Sequence, residues 1–271
     1  MKHVLLAAVD VLAGCTNPTR STAMSLRLFV DDAGPQGTLP VVFLHSAGGD
    51  SSHFADQLVH LRRTRRALAV DLRGHGRSPR ASSFAVDDAA ADVPASLAAR
   101  GIERFVLVGH SWGGAVAVAI AGRLPAHVAG LLLLDPASDG RHMPKQVADG
   151  LMSSLETRYE AVVGSYWASM LDGARPEVRD RLMREVLSVP HDVVTGTLAS
   201  LLTFDPVTPL SRYSGPMRSV ITRLNDRPDA YHRVVEGLPV TRVEGTGHWL
   251  QLDKPEEINK AVDAFVAEVE R

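Results

Sequence analysis

Four short apolar runs, separated by helical patterns, constrain the fold of this chain most strongly. The runs span residues 41–44, 67–70, 105–108 and 128–134, and none of them contains a charged side chain. Runs of this length and composition are typical of strands that are buried on both faces of a parallel sheet. Because helical patterns lie between them, the sequence predicts an α/β fold with a mostly parallel sheet and helices on both faces.

The alternation stops between residues 138 and 205, where apolar side chains keep helical spacing without a clear strand. Helices that are inserted after a strand indicate a cap over the sheet edge, where ligands bind in such folds. Further strands are expected at 26–30, 220–222 and 240–243, and a last helix from Pro255. The predicted organisation is an N-terminal segment 1–24, a core of 25–137 and 206–271, and a helical cap 138–205.

Composition excludes several classes of protein. A formal net charge of −2 over 271 residues gives no global electrostatic reason to bind nucleic acid. The single cysteine cannot form an internal disulfide, and the 11 histidines are scattered without a metal-binding spacing. We therefore expect no metal and no cofactor. No stretch reaches 18 uninterrupted apolar residues, so we expect no membrane span, and the oligomeric state stays open.

The N-terminus permits two interpretations. Lys2 precedes an apolar stretch, and Leu12-Ala13-Gly14-Cys15 resembles the cleavage box of a bacterial lipoprotein. Asp10 argues against a signal peptide, because a charge inside a short membrane-inserting segment is costly. We favour a cytoplasmic protein whose N-terminus is unprocessed or over-extended, with Met24 as a candidate start. The alternative is a membrane-anchored lipoprotein that is lipidated at Cys15.

The chemistry centres on Gly109-His110-Ser111-Trp112-Gly113, which follows a predicted strand and opens a predicted helix. This G-x-S-x-G pattern forms a sharp turn in which two glycines let neighbouring backbone approach the serine. Such a turn projects the Ser111 hydroxyl beyond the sheet, beside the N-terminus of a helix. The pattern therefore predicts a nucleophilic serine. The alternative is a glycine-rich turn with an idle serine.

With this motif, the sequence resembles the α/β-hydrolase superfamily from about residue 26 to the C-terminus. Other segments that share in the resemblance are Phe43-Leu44-His45-Ser46-Ala47-Gly48-Gly49, Asp71-Leu72-Arg73-Gly74-His75-Gly76-Arg77-Ser78 and Gly245-Thr246-Gly247-His248. The resemblance implies His248 as the general base for Ser111. It also implies an oxyanion hole formed by the backbone N–H groups of Ala47 and Trp112.

Two residues compete for the acid of the catalytic triad. The superfamily usually places this acid in a Gly-x-x-Asp turn, which corresponds here to Arg223-Leu224-Asn225-Asp226. Arg223 replaces the glycine, and the chain from Asp226 to His248 is a few residues short. Some members of the fold instead use an acid at the position of Asp135, after the strand that follows the serine helix. We predict Asp226 as the acid of the triad, with Asp135 as the alternative.

The predicted activity is hydrolysis of a carboxylic ester, or a related acyl bond, of a small apolar molecule through an acyl-enzyme. Ser111 argues against the dehalogenase and epoxide-hydrolase branches, which use an aspartate nucleophile. Fold alone does not fix the reaction. Carbon–carbon bond hydrolysis, perhydrolysis and non-catalytic ligand binding remain alternatives. Ser46 stands where the superfamily usually has glycine, and we hypothesise that its hydroxyl adds a third donor to the oxyanion hole.

Overall fold

A computed structural model describes residues 25–271, and it contains one sheet of seven strands. The order across the sheet is β1-β3-β2-β4-β5-β6-β7, and every pairing is parallel except that of β1 with β3. The strands are β1 Val30–Ala33, β2 Val41–Leu44, β3 Ala67–Val70, β4 Phe105–His110, β5 Val128–Leu134, β6 Met217–Ile221 and β7 Val240–Arg242. The predicted mostly parallel sheet is confirmed.

Helices cover both faces of this sheet. They are α1 Ala55–Leu61, α2 Val86–Ala98, α3 Trp112–Arg123, α4 Lys145–Thr157, α5 Tyr159–Met170, α6 Pro176–Ser188, α7 His191–Leu201, α8 Val207–Ser211, α9 Tyr231–Val234, α10 Leu250–Asp253 and α11 Pro255–Val269. Successive side chains of each strand point to opposite faces of the sheet. In β2, Val42 and Leu44 pack in the cluster with α2 and α3, whereas Val41 and Phe43 pack in the cluster with α1 and α11.

The first strand differs from the prediction. Residues 26–30 were expected to form it, but β1 begins only at Val30. The backbone N–H groups of Leu26, Leu28 and Phe29 bond to side chains instead of to a neighbouring strand. Leu26 N donates to Asp92 Oδ1 at 2.7 Å, and Leu28 N donates to Ser96 Oγ at 3.0 Å. Asp92 and Ser96 lie on α2, so this segment is extended along a helix instead of along the sheet.

Helices α4 to α7 lie between β5 and β6 and form a helical insertion within residues 138–205. Their facing apolar side chains form a buried cluster of their own, which also includes Trp249 and Leu252 from the C-terminal part of the chain. The insertion therefore packs against the segment that follows β7.

No helix in the described range, 25–271, is long and apolar enough to cross a membrane. The proposed lipidation site, Cys15, and the candidate start, Met24, both lie outside the described residues.

Candidate active site

Ser111 occupies the turn between β4 and α3 in a strained backbone conformation, with φ 53° and ψ −118°. Non-glycine residues adopt positive φ rarely, and mostly where the surroundings enforce it. A Cβ atom on Gly109 would lie 2.5 Å from the Gly113 carbonyl oxygen, and one on Gly113 would lie 2.4 Å from the His45 carbonyl oxygen. Both glycines are thus required by close backbone contacts, which is the physical basis of the G-x-S-x-G pattern.

His248 lies in the loop between β7 and α10 and contacts Asp135, the residue that follows β5. The His248 Nδ1 atom is 2.5 Å from Asp135 Oδ2, and the Asp135 side chain is fully buried. Thr222 also donates to this carboxylate, from its backbone N to Oδ1 at 2.7 Å and from Oγ1 to Oδ2 at 3.1 Å. A carboxylate that accepts the Nδ1 proton leaves Nε2 of the imidazole free to accept a proton from another group.

Asp226, the preferred acid in the sequence, does not contact His248, and this preference is corrected. Its carboxylate accepts hydrogen bonds from Arg242 at 2.7 and 3.0 Å, from Arg233 at 2.8 Å and from His232 at 3.1 Å. These contacts, led by that with Arg242, hold the pKa of Asp226 well below its usual range. Asp226 therefore belongs to an ion cluster beside β7 and α9.

The turn after β6 explains why Asp226 points away. Residues Arg223–Asn225 form one turn of 3-10 helix, which directs Asn225 instead of Asp226 towards the cavity. Asn225 is buried, donates from Nδ2 to the Pro136 carbonyl and accepts from Ser138 Oγ. The alternative acid, Asp135, is thus the carboxylate that the fold brings to His248.

The loop after β2 presents the Ala47 N–H group. The carbonyl of Ser46, which belongs to the same peptide unit, accepts hydrogen bonds from His45 Nδ1 at 2.7 Å and from Gly49 N at 3.2 Å. In a trans peptide the N–H points opposite to the C=O, so these contacts fix the direction of the Ala47 N–H. Within residues 25–271, the backbone N–H groups of Ala47 and Trp112 donate to no other residue.

Two buried histidines support this loop as neutral imidazoles. Leu72 N donates to His45 Nε2 at 2.9 Å, and Gly48 N donates to His75 Nε2 at 3.2 Å. A ring nitrogen that accepts a hydrogen bond carries no proton, so neither ring can be protonated without losing its contact. Burial is the main reason that the pKa of His45 falls to about 4 and that of His75 to about 3.

His110 lies behind His248 and does not line the cavity. It is fully buried, donates from Nε2 to the His248 carbonyl at 3.0 Å and accepts from Gln251 Nε2 at 3.3 Å. Burial, followed by repulsion from His248, holds the pKa of His110 well below its usual value. His110 therefore supports the backbone of the His248 loop as a neutral ring.

The helical insertion also holds the His248 loop. The backbone N of His248 donates to the Met170 carbonyl at 2.8 Å, at the end of α5. Asp253 accepts from Gly247 N at 2.9 Å and from Arg175 N at 2.9 Å. Arg175 immediately precedes α6, so the carboxylate of Asp253 connects the loop to the start of that helix.

Ser111 and His248 line one cavity of about 700 Å³ beneath the helical insertion. The walls contributed by the insertion are mostly apolar: Leu151, Leu155, Val162, Val163, Trp167, Met170, Leu198 and Leu201. The aromatic side chains of Tyr166 and Trp167 also line the cavity, whereas Tyr159 stacks on His191 at a centroid distance of 3.7 Å. Among residues 25–271, no group of three His, Cys, Asp or Glu side chains is placed to hold a metal ion.

The family is decided by a match that covers most of the chain. A family model described as "Alpha/beta hydrolase family" matches residues 41–261. The chain belongs to the alpha/beta hydrolase family. The predicted superfamily, and the prediction of a hydrolase, are thereby confirmed. Ser46, Ser111, Asp135 and His248 all lie within the matched residues.

Curated relatives of this alpha/beta hydrolase include lipases. Lipase LipV of Mycobacterium tuberculosis is 36% identical over 155 residues, which cover 54% of this chain and 58% of that protein. The sn-1-specific diacylglycerol lipase ABHD11 of Mus musculus is 29% identical over 273 residues, covering 92% of this chain and 86% of that protein. The match to the first relative thus spans little more than half of its length.

Solved structures share the alpha/beta hydrolase architecture. A thermophilic esterase from Thermogutta terrifontis superposes with a TM-score of 0.77 at 21% identity and covers 93% of this chain and 97% of its own. An enol-lactonase from Burkholderia xenovorans LB400 gives a TM-score of 0.77 at 19% identity, covering 89% of this chain and 96% of its own. At these identities the similarity establishes the fold.

Proposed function

We propose that this alpha/beta hydrolase cleaves a carboxylic ester with Ser111 as nucleophile, His248 as general base and Asp135 as the acid of the triad. One observation carries the proposal. The strained turn that holds Ser111 opens into the same cavity as His248, whose Nδ1 atom lies 2.5 Å from the buried Asp135 carboxylate. A serine in such a turn beside an oriented imidazole is the arrangement that acyl transfer requires.

The reaction proceeds through an acyl-enzyme. His248 Nε2 takes the proton of Ser111 as Oγ attacks the ester carbonyl carbon, and Asp135 stabilises the resulting imidazolium. The N–H groups of Ala47 and Trp112 bind the oxyanion of the tetrahedral intermediate. His248 then gives its proton to the leaving alcohol. Water, activated by the same histidine, attacks the acyl-enzyme and releases the acid.

The cavity favours an apolar acyl group. Its volume of about 700 Å³ lies within the range of about 300–1,000 Å³ that small-molecule sites occupy, and the insertion contributes mainly leucine, valine and methionine to its walls. Lipases among the curated relatives agree with an ester substrate that carries an acyl chain. The polar side chains Asn225 and Arg227 lie at the same cavity and can face the alcohol portion.

The test is hydrolysis of p-nitrophenyl butanoate and octanoate by the wild type, Ser111→Ala and the control Ser188→Ala. Ser188 is exposed at the end of α6, so its loss should leave turnover unchanged. We expect Ser111→Ala to abolish turnover and a fluorophosphonate probe to label Ser111 of the wild type. Labelling without ester turnover would favour carbon–carbon bond hydrolysis or perhydrolysis. Neither labelling nor turnover in a folded protein would favour ligand binding without catalysis.

A further inference from the structure

Ser46 is a buried residue of the cavity that Ser111 lines, and its hydroxyl contacts the loop that contains His248. The side chain is 1% exposed and lines the cavity that also contains Ser111 and His248. Its Oγ atom lies 3.1 Å from Nε1 of Trp249, which is itself 1% exposed. Trp249 directly follows His248 in the chain, so this contact joins the oxyanion loop to the histidine loop.

The chemistry of the two groups determines the direction of the bond. An indole N–H can only donate, so the Ser46 oxygen is the acceptor and one of its lone pairs is used. The Ser46 proton therefore points away from the indole. In the part of the chain that the structure describes, no acceptor receives this proton. A buried hydroxyl that has a free proton and lines a reaction cavity is a donor available to a bound ligand.

We propose that Ser46 is a catalytic residue whose hydroxyl donates a third hydrogen bond to the oxyanion, beside the N–H groups of Ala47 and Trp112. The proposal rests on the ester hydrolysis proposed above. Ser46 directly precedes Ala47, and the backbone of their shared peptide is fixed by His45 and Gly49. Trp249 is a positioning residue, because its hydrogen bond to the Ser46 oxygen restricts rotation of the hydroxyl and directs the Ser46 proton away from the indole.

This role differs from that of a structural serine in what its removal changes. A donor to the oxyanion acts in the transition state, so its loss lowers kcat and leaves KM nearly unchanged. A bond that only joins two loops would change the thermal stability of the protein. Two further consequences separate these roles. They are the affinity for an inhibitor that carries an oxyanion, and the coupling between Ser46 and Trp249.

The experiment compares wild type, Ser46→Ala, Ser46→Gly, Trp249→Phe and the double variant Ser46→Ala/Trp249→Phe, with Ser219→Ala as control. Ser219 is a fully buried serine in β6 whose hydroxyl has no partner among the described residues, so it matches Ser46 in burial alone. Rates are measured with p-nitrophenyl butanoate. Affinity is measured with an aryl trifluoromethyl ketone, which adds to Ser111 and forms a tetrahedral oxyanion. Circular dichroism and Tm are recorded for every variant.

We expect Ser46→Ala to lower kcat on the order of 10²-fold with KM changed less than about threefold, since one lost oxyanion donor has an effect of this size. The inhibition constant for the ketone should rise by a similar factor. Trp249→Phe should lower kcat less, and should add little in the Ser46→Ala background. Ser46→Gly should behave as Ser46→Ala does, which guards against a folding defect in either variant.

Active wild type with unchanged kcat in both folded Ser46 variants would overturn the role of Ser46 and leave the ester mechanism intact. A fall in Tm without a change in ketone affinity would likewise overturn it. Absence of ester turnover in the wild type would instead overturn the proposed function, and the role of Ser46 with it.

Discussion

Replacing Asp135 by asparagine should reverse the direction of its hydrogen bond with His248, the general base that we propose. Thr222 N donates to Asp135 Oδ1 at 2.7 Å, and a backbone N–H cannot become an acceptor. The amide oxygen of Asp135→Asn must therefore occupy the Oδ1 position, which leaves the NH₂ group facing His248 Nδ1. His248 Nδ1 then accepts a hydrogen bond, and the imidazole proton moves to Nε2. In that tautomer Nε2 cannot accept the proton of Ser111.

The expected loss of kcat is large, because Asp135→Asn removes both the correct tautomer of His248 and the negative charge that stabilises its imidazolium form. A triad that is held in the wrong tautomer loses about 10⁴-fold in kcat, which corresponds to about 5.5 kcal/mol of activation free energy. Asp226→Asn is the matched control, since the same atoms are exchanged in a carboxylate that pairs with Arg233 and Arg242 instead of with His248. We expect its kcat to stay within about twofold of the wild type.

Steady-state hydrolysis of p-nitrophenyl butanoate, with Tm measured in parallel, decides between the two carboxylates. Retention of more than about a tenth of kcat in Asp135→Asn would refute the assignment of Asp135 as the triad acid. A larger loss in Asp226→Asn than in Asp135→Asn, with both variants folded, would restore the preference that the sequence suggested.

Three further outcomes follow from the packing around the site. Because burial lowers the pKa of His45 to about 4 and of His75 to about 3 from 6.5, the unfolded chain binds more protons below pH 6.5. The free energy of unfolding by urea should therefore fall from pH 6.5 to 4, and a flat profile would contradict neutral rings. Gly113→Ala should lower this free energy by about 2 kcal/mol or more, whereas Gly150→Ala, in open space on α4, should be neutral or stabilising. Leu198→Trp should narrow the cavity and reduce kcat/KM for p-nitrophenyl octanoate more than for the acetate, which would not occur if the acyl chain lay elsewhere.

The sequence predicts those parts of the fold that depend on local pattern. The runs at 41–44 and 67–70 form the strands β2 and β3 with the expected ends, and the helix after Ser111 begins at Trp112. The segment 26–30 is also rich in apolar residues, but only Val30 belongs to a strand. Its partners, Asp92 and Ser96, are more than 60 residues away in the chain, so no local pattern indicates them.

The position of the triad acid is a problem of the same kind. Asp135 and Asp226 both lie near the carboxyl ends of neighbouring strands, and sequence position alone does not show which carboxylate faces His248. Which of the two carboxylates faces His248 depends on the 3-10 turn after Thr222, because this turn presents Asn225 to the cavity. Arg223 in place of glycine and the short chain to His248 were the available signals for Asp135. The contact between Ser46 and Trp249 spans 203 positions and had no local signal.

The hydrogen bonds between the helical insertion and the His248 loop have a consequence for protein engineering. Met170 and Arg175, at the junction of α5 and α6, contact the backbone of His248 and the carboxylate of Asp253. A chimera that received residues 138–205 from a relative would also receive new contacts to the His248 loop. Transfer of substrate preference between such proteins therefore requires the α5–α6 junction and the His248 loop to be exchanged together.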